Sequence, residues 1–242
     1  MAQEQIILRW IETGRLRSRH HAAFAAILDD EERARARHFR FKEDEIMFTA
    51  AHALARCTLS EIDGRPPHSW TFRIGPYGKP AVVVAQDAPE IRFNLSHTKG
   101  LTIVAVAIGR DIGVDVEKIT HPAPLEIADR YFTRQECDLL LRSAGRRRDA
   151  AFFSIWTLKE AYMKALSRGM DLPLDSFVVD LDPAHLARSD QDKTWERWQF
   201  WQDRIGASHI AALAVDWPDA DALPISGRAV DPNELSSLCG AT

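Results

Sequence analysis

The 242-residue sequence predicts an α+β protein, a pseudo-duplicated two-lobed fold in which each half packs helices on a small antiparallel sheet. Three observations predict it. The length suits one large domain or two modest ones, at roughly 100–200 residues each. Helical patterns precede strand patterns twice along the chain, as a repeated plan requires. Each half closes on Ser-His followed by an apolar strand, SHTKGLTIVAVAI at 96–108 and SHIAALAV at 208–215.

The elements follow in order. QEQIILRWI, residues 3–11, reads as a first strand. From Leu28 to Arg56 the pattern is helical: DDEERARARHF opens with acidic residues, which the positive end of a helix dipole favours, and an alanine-rich run follows. SWTFRIGPYGKPAVVV has strand-like runs about a turn marked by Gly75, Pro76, Gly78 and Pro80. IRFNLSHTKGLTIVAVAIGRDIGVDVEKI reads as three strands, joined through His97-Thr98-Lys99-Gly100 and through Gly109-Arg110-Asp111. LTIVAVAI is apolar throughout and predicts a strand buried on both faces. In the second half, PLEIADRYF, TRQECDLLLRSA and DAAFFSIWTLKEAYMKALSRG read as helices, and DLPLDSFVVDL and WERWQFWQDRIGASHIAALAV as strands. The halves are therefore set at 1–112 and 113–217, with 218–242 expected as a loosely structured tail and Gly145-Arg146-Arg147-Arg148 as an exposed turn.

Composition narrows the function classes. A hydrophobic content of 45% and a charged content of 27% describe an ordinary globular protein. The net charge of −4 argues against a general nucleic-acid-binding surface. Cys57, Cys137 and Cys239 match no metal spacing and read as reduced thiols, which predicts a cytoplasmic protein. MAQEQIILRW lacks the character of a signal peptide, and no apolar run reaches the roughly 18 residues of a membrane span.

Two segments carry candidate chemistry. In IGVDVEKI, strand alternation puts Asp115 and Glu117 on one face and Val114 and Val116 on the other. Two neighbouring carboxylates repel unless one is protonated, water screens them or a cation lies between them. In DAAFFSIWTLKEAYMKALSRG, apolar residues cover most of the helical circumference, which predicts a buried helix, while Thr157, Glu160, Lys164 and Ser167 form one narrow polar strip. Asp115, Glu117 and Glu160 are oxygen donors of the kind magnesium takes alongside substrate phosphates. Lys164, Lys79 in the GPYGKP turn and His97 in FNLSHTKG add positive groups suited to a polyphosphate.

The ordered set FNLSHTKG, GVDVEKI and FFSIWTLKEAYMKALSRGMDLPLDSF resembles the signature of the surfactin-synthetase-activating (Sfp-like) 4′-phosphopantetheinyl transferases. The pattern G-[IV]-D-x-E, then W-x-x-K-E-[AS]-x-x-K, is met with Trp156, Lys159, Glu160 and Lys164 in place. The resemblance runs from about Asp29 to Ala214 and includes GKP at 78–80 and the segment RYFTRQECDLL that starts at Arg130. It implies a monomeric enzyme of two similar halves, with coenzyme A in the cleft between them. Asp115, Glu117 and Glu160 would ligate Mg²⁺ on the pyrophosphate and Lys164 would meet a pyrophosphate oxygen. Lys79, Ser96 and His97 would hold the nucleotide end with its 3′-phosphate. The acceptor would be a serine of an apo acyl or peptidyl carrier protein and adenosine 3′,5′-bisphosphate the by-product. Removing the serine proton calls for a base near the metal, and Glu160 is the expected one, acting directly or through a metal-bound water. Relatives commonly place an arginine at the position of Met47, so Arg35, Arg37 and Arg56 are the cations available to compensate. The loop after Lys118, with Arg134 and Arg146 to Arg148, is the expected meeting point for an acidic helix of the carrier.

Two rivals are weaker. Asp115-Val-Glu117-Lys118 superficially matches a metal-dependent nuclease, but that leaves the Trp156–Lys164 helix and Ser96-His97 without a role. A non-catalytic relative that binds carrier protein or coenzyme A fits Met47 but not the intact Asp115, Glu160 and Lys164.

Overall fold

The computed structural model describes residues 5–75, 77–83, 90–189, 194–219 and 221–240, and the chain divides into two compact units. Residues 1–109 and 224–242 form the first, and residues 110–223 the second.

The first unit starts with β1 (Ile6–Glu12), α1 (Ser18–Ala26), α2 (Asp30–Arg37) and α3 (Lys42–Asp63). Asp29 caps α2: its side chain accepts from the Glu32 amide, and Glu32 reaches back to the Asp29 amide. The alanine-rich stretch becomes α3, which lays Ala50, Ala53, Leu54, Cys57 and Leu59 into the core and stops at Gly64 in the left-handed conformation. A short ribbon, β2 (Phe72–Ile74) and β3 (Pro80–Val82), brackets the GPYGKP turn. β4 (Ile91–Thr98) and β5 (Leu101–Ile108) then form a hairpin. His97 and Thr98 belong to β4, so the connection is the two-residue Lys99-Gly100 turn rather than the four-residue loop the sequence suggests. β5 is buried over its first seven residues, as its continuous apolar run requires.

The second unit holds β6 (Ile112–Lys118), α4 (Ala128–Tyr131), α5 (Arg134–Arg142), α6 (Gly145–Leu166), the hairpin β7 (Phe177–Leu181) and β8 (Ala184–Ser189), then β9 (Trp198–Ile205) and β10 (His209–Asp216). Its main sheet is antiparallel in the order β6-β10-β9. Arg146 to Arg148 form the first turn of α6 and not a loop, because the helix already begins at Gly145.

Of residues 218–242, expected as a loose tail, those from Pro224 onward instead belong to the first unit. β11 (Ile225–Ala229) pairs in parallel with β1, giving a mixed sheet β11-β1-β5-β4 in place of an antiparallel one. α7 (Pro232–Gly240) buries Leu235 and Cys239 in that unit's core. The repeated plan is visible in the two longest helices: α3 and α6 each have 22 residues, and each packs on an antiparallel strand pair, β4–β5 and β6–β10. Among the described residues no helix is long and apolar enough to cross a membrane.

Candidate active site

Gly113, Asp115 and Glu117 share one face of β6, and that face meets α6. The contact is made at Gly113. A Cβ there would stand 2.1 Å from the Ala161 carbonyl oxygen and 2.4 Å from the Ala165 amide nitrogen, both backbone atoms. Only glycine lets helix and strand come this close. Glu160 and Lys164 each precede one of those two helix residues by one position, so the same contact carries them to the level of Asp115.

Asp115 is buried, and its Oδ1 accepts a charge-assisted hydrogen bond from Lys164 Nζ at 2.5 Å. Glu160, half-buried one helical turn before Lys164, has its carboxyl pKa raised to about 7. Burial is the largest cause and the Asp115 charge adds to it, while Lys164 opposes both. Two acids and one ammonium thus share a single locality. Among the described residues no group of three or more His, Cys, Asp or Glu side chains is arranged to hold a metal ion. Glu117 lies on the Asp115 face but completes no such group in this conformation. The donor set Asp115–Glu160 nevertheless suits a hard divalent cation: both groups are carboxylates, and their repulsion is what a cation relieves.

The polar strip on α6 is narrower than its sequence spacing suggests. Thr157 is fully buried, donates to the Phe153 carbonyl at 2.9 Å and accepts from Gln202 Nε2 at 3.0 Å. It holds helix to sheet and does not face an opening. Glu160 and Lys164 remain half-buried, and Ser167 ends the helix with a positive φ of 53°.

A further charged pair lies on the buried side of α6. Lys159, beside Glu160, is fully buried: its Nζ donates to the carbonyls of Leu174 and Phe177, each at 2.7 Å, and pairs with Glu136 at 3.0 Å. Glu136 in turn accepts from the amides of Thr133 and Val179. Burial lowers the Lys159 pKa, and Glu136 acts against that shift. The signal available in the sequence was a lysine on the apolar face of a buried helix, which demands a partner. Lys159 therefore anchors α6 to the β7 region.

The remaining expected residues belong to the first unit. Lys79 is half-buried at the end of the GPYGKP turn, where its carbonyl accepts from the Gly75 amide at 2.9 Å. Ser96 is buried on β4 and its neighbour His97 is exposed, so the two side chains present to opposite faces of the strand. Arg35 is exposed on α2 with its guanidinium 5.4 Å from the centre of the Phe48 ring, and Arg37 is exposed further along. Met47 is half-buried on α3. Arg56 is not available to replace an arginine there. It is fully buried, bonded to Glu32 and Asp29 and to the carbonyls of Pro67 and Trp70. Glu32 is held ionised, with its pKa lowered: burial, the largest influence, pushes upward and is outweighed by the bonds from His52 and Arg56.

Two family models match the chain. One, described as the 4′-phosphopantetheinyl transferase superfamily, covers residues 111–214; the other, described as 4′-phosphopantetheinyl transferase, N-terminal, covers residues 16–108. Among curated proteins, the Nostoc 4′-phosphopantetheinyl transferase HetI is 31% identical over 194 residues, spanning 80% of this chain and 81% of that protein. The Bacillus subtilis 4′-phosphopantetheinyl transferase Sfp is 35% identical over 159 residues, spanning 65% of this chain and 68% of Sfp. A further Bacillus subtilis 4′-phosphopantetheinyl transferase is 34% identical over 164 residues, spanning 67% and 70%.

Proposed function

The chain belongs to the 4′-phosphopantetheinyl transferase superfamily and is an enzyme of that class, and on that premise we propose the chemistry its residues perform. The 4′-phosphopantetheine arm of coenzyme A passes to a serine hydroxyl of an apo acyl or peptidyl carrier protein, with Mg²⁺, and adenosine 3′,5′-bisphosphate leaves. The observation that carries this reading is the convergence of Asp115, Glu160 and Lys164 where β6 meets α6.

Asp115 and Glu160 would hold Mg²⁺, joined by Glu117 from the same strand face. The bound ion supplies a Lewis acid that neutralises charge on the pyrophosphate oxygens. Lys164 exchanges its bond to Asp115 for one to a pyrophosphate oxygen and stabilises the charge that builds as the serine attacks. Glu160 is assigned the serine proton, as the carboxylate beside the point where the hydroxyl would attack. The serine oxygen–phosphorus bond forms as the pyrophosphate bridge breaks, and the nucleotide carries away the bridging electron pair. Lys79, Ser96, His97 and Arg35 are assigned the nucleotide end of coenzyme A. The protein acts as a cytoplasmic monomer on this reading; the free thiols of Cys57, Cys137 and Cys239 suit a reducing compartment.

The test is incubation with coenzyme A, Mg²⁺ and a panel of apo-carriers, followed by mass spectrometry of each carrier. A carrier heavier by one phosphopantetheine, dependent on Mg²⁺, is expected. Cleavage of DNA without consumption of coenzyme A, or coenzyme A binding without transfer to any carrier, contradicts the proposal.

A further inference from the structure

Within the first unit, α7 is fixed in place by groups from neighbouring elements. Asn233, in its first turn, accepts from Arg19 at 2.9 Å, and His20 meets the same oxygen at 3.2 Å, both from α1. Glu234 pairs with Arg228 of β11 at 2.8 Å. Arg228 also lies 3.8 Å from Glu61 of α3. Arg9 of β1 holds Glu61 at 2.6 Å and donates to the Ser226 carbonyl of β11 at 2.7 Å. Pro232, Leu235 and Cys239 form the buried stripe of α7. These contacts set the rotation and register of the helix. They bring Cys239 against Cys57 of α3, Sγ to Sγ at 3.9 Å, although 182 positions separate the two in sequence. Both are buried free thiols, and neither has a part in the Asp115 site.

We propose that Cys57 and Cys239 form a redox-operated staple: oxidised, they join in a disulfide that ties α7 to α3; reduced, they pack as two small apolar side chains. The oxidant is a small-molecule disulfide. The thiolate of one cysteine attacks a sulfur of that disulfide, and one small thiol leaves with the bonding electron pair and takes up a proton. The thiolate of the other cysteine then attacks the protein sulfur of the mixed disulfide and expels the second small thiol. Two protein thiols are oxidised and one disulfide is reduced to two thiols. Proximity favours the second step: a bond of about 2.0 Å asks the two sulfurs to close by only about 2 Å. Access is what the fold withholds. The Cys57 thiol is held above its ordinary range, chiefly by its contact with Cys239 and next by burial, so thiolate is scarce while α7 is docked. Oxidation therefore proceeds through local opening of α7, whose outer clasp is the exposed Arg228–Glu234 pair and the bonds to Asn233. Once formed, the disulfide closes a long loop and disfavours the unfolded chain. The staple is independent of the transfer chemistry at Asp115. Cys137, on α5 of the second unit, is half-buried and supplies an internal contrast.

The experiment is incubation of the folded full chain with glutathione disulfide, followed by free-thiol counting, mass spectrometry of the digested protein and thermal melting. The same reagent acting on the urea-unfolded chain is the control. A linked Cys57–Cys239 peptide pair is expected, with the melting temperature raised by about 5–10 °C and returned to its starting value by dithiothreitol. Cys239→Ala and Cys57→Ser should each lose both the linked peptide and the rise, and Cys57→Ala replaces the serine variant if a buried hydroxyl impairs folding. Arg228→Gln and Asn233→Ala loosen the clasp on α7 and should speed formation of the bond about threefold or more. Cys57 and Cys239 that stay reduced in the parent and in both loosened variants, while the unfolded control oxidises, overturn the staple. So does a bond that joins Cys137 instead, or a Cys57–Cys239 bond that leaves the melting temperature unchanged or lowers it. An oxidation rate unaltered by both clasp variants overturns the route through α7 opening.

Discussion

Gly113 and Ala161 meet backbone to backbone: a Cβ on Gly113 would lie 2.1 Å from the Ala161 carbonyl oxygen, far inside any permitted contact. Because both atoms in the clash are fixed to the main chain, no rotamer change can relieve it. The glycine that opens the GVDVE segment is thus a spacing requirement, setting how near Glu160 and Lys164 come to Asp115.

Gly113→Ala should therefore push β6 from α6 and cost about 3 kcal/mol or more, at the upper end of overpacking penalties. A urea titration measures the loss. Residual folded protein should transfer poorly even at saturating coenzyme A, since the Asp115–Lys164 bond at 2.5 Å depends on that approach. A variant of parental stability and activity would refute the spacing role.

Lys159 and Glu136 form a buried pair with every polar atom engaged by backbone groups or by each other. Removing one partner leaves an uncompensated buried charge, worth about 3–5 kcal/mol. Lys159→Met should lose about that much stability, and adding Glu136→Gln should recover part of it. Chemical denaturation of the two single variants and the double measures the coupling; strictly additive effects would mean the pair is not energetically joined.

Glu160 sets a pH dependence with a definite sign. Its pKa of about 7 in the folded chain exceeds its ordinary value near 4.5, so the folded state holds the proton more tightly than the unfolded state. Stability contributed by this group is present below the unfolded value and declines as pH rises through about 7. Glu160→Gln should remove that decline, raising the melting temperature at pH 8 relative to the parent in the absence of divalent ions. Mg²⁺ should raise the parent's melting temperature at pH 8 and have little effect on Glu160→Gln. A parent whose stability climbs between pH 5 and pH 8 more steeply than that of the variant would contradict the assignment.

Arg35 and Arg56, both named as cations able to offset Met47, should separate cleanly. Arg56→Ala strands Glu32 and Asp29 and should cost about 3–5 kcal/mol. Arg35→Ala touches an exposed side chain and should leave the melting temperature near that of the parent while raising the coenzyme A KM several-fold. Calorimetry and donor-dependent kinetics check the two; an unaltered coenzyme A KM would remove Arg35 from the nucleotide site.

The α+β plan and the Glu160–Lys164 pair were legible because their signals are local and periodic. LTIVAVAI reads as a buried strand, and the apolar girth of α6 marks it as a core helix with Glu160 and Lys164 as the exceptions. What was not legible depends on partners distant in sequence. β11 is five residues, ISGRA, with its last three exposed, and becomes a strand only because β1 offers an edge more than two hundred residues earlier. Arg56 could be read as a candidate phosphate ligand until Glu32, Asp29 and two carbonyls were found around it. Arg146 resembles a turn residue in a Gly-Arg-Arg-Arg run, yet it opens a helix whose length is set by packing on β6 and β10. Thr157 has the spacing of a site residue and is consumed by the helix-to-sheet bonds of Gln202.

The central claim is that Asp115 and Glu160 together hold the divalent ion on which transfer depends. It is tested most directly by mass-spectrometric assay of phosphopantetheine transfer from coenzyme A to an apo-carrier, with and without Mg²⁺, by the parent, Asp115→Ala and Glu160→Ala, each verified as folded. The account predicts Mg²⁺-dependent transfer by the parent and loss of at least about a thousandfold in each variant, the scale on which removal of an electrostatic stabiliser is felt. Near-parental transfer by both folded variants would contradict it.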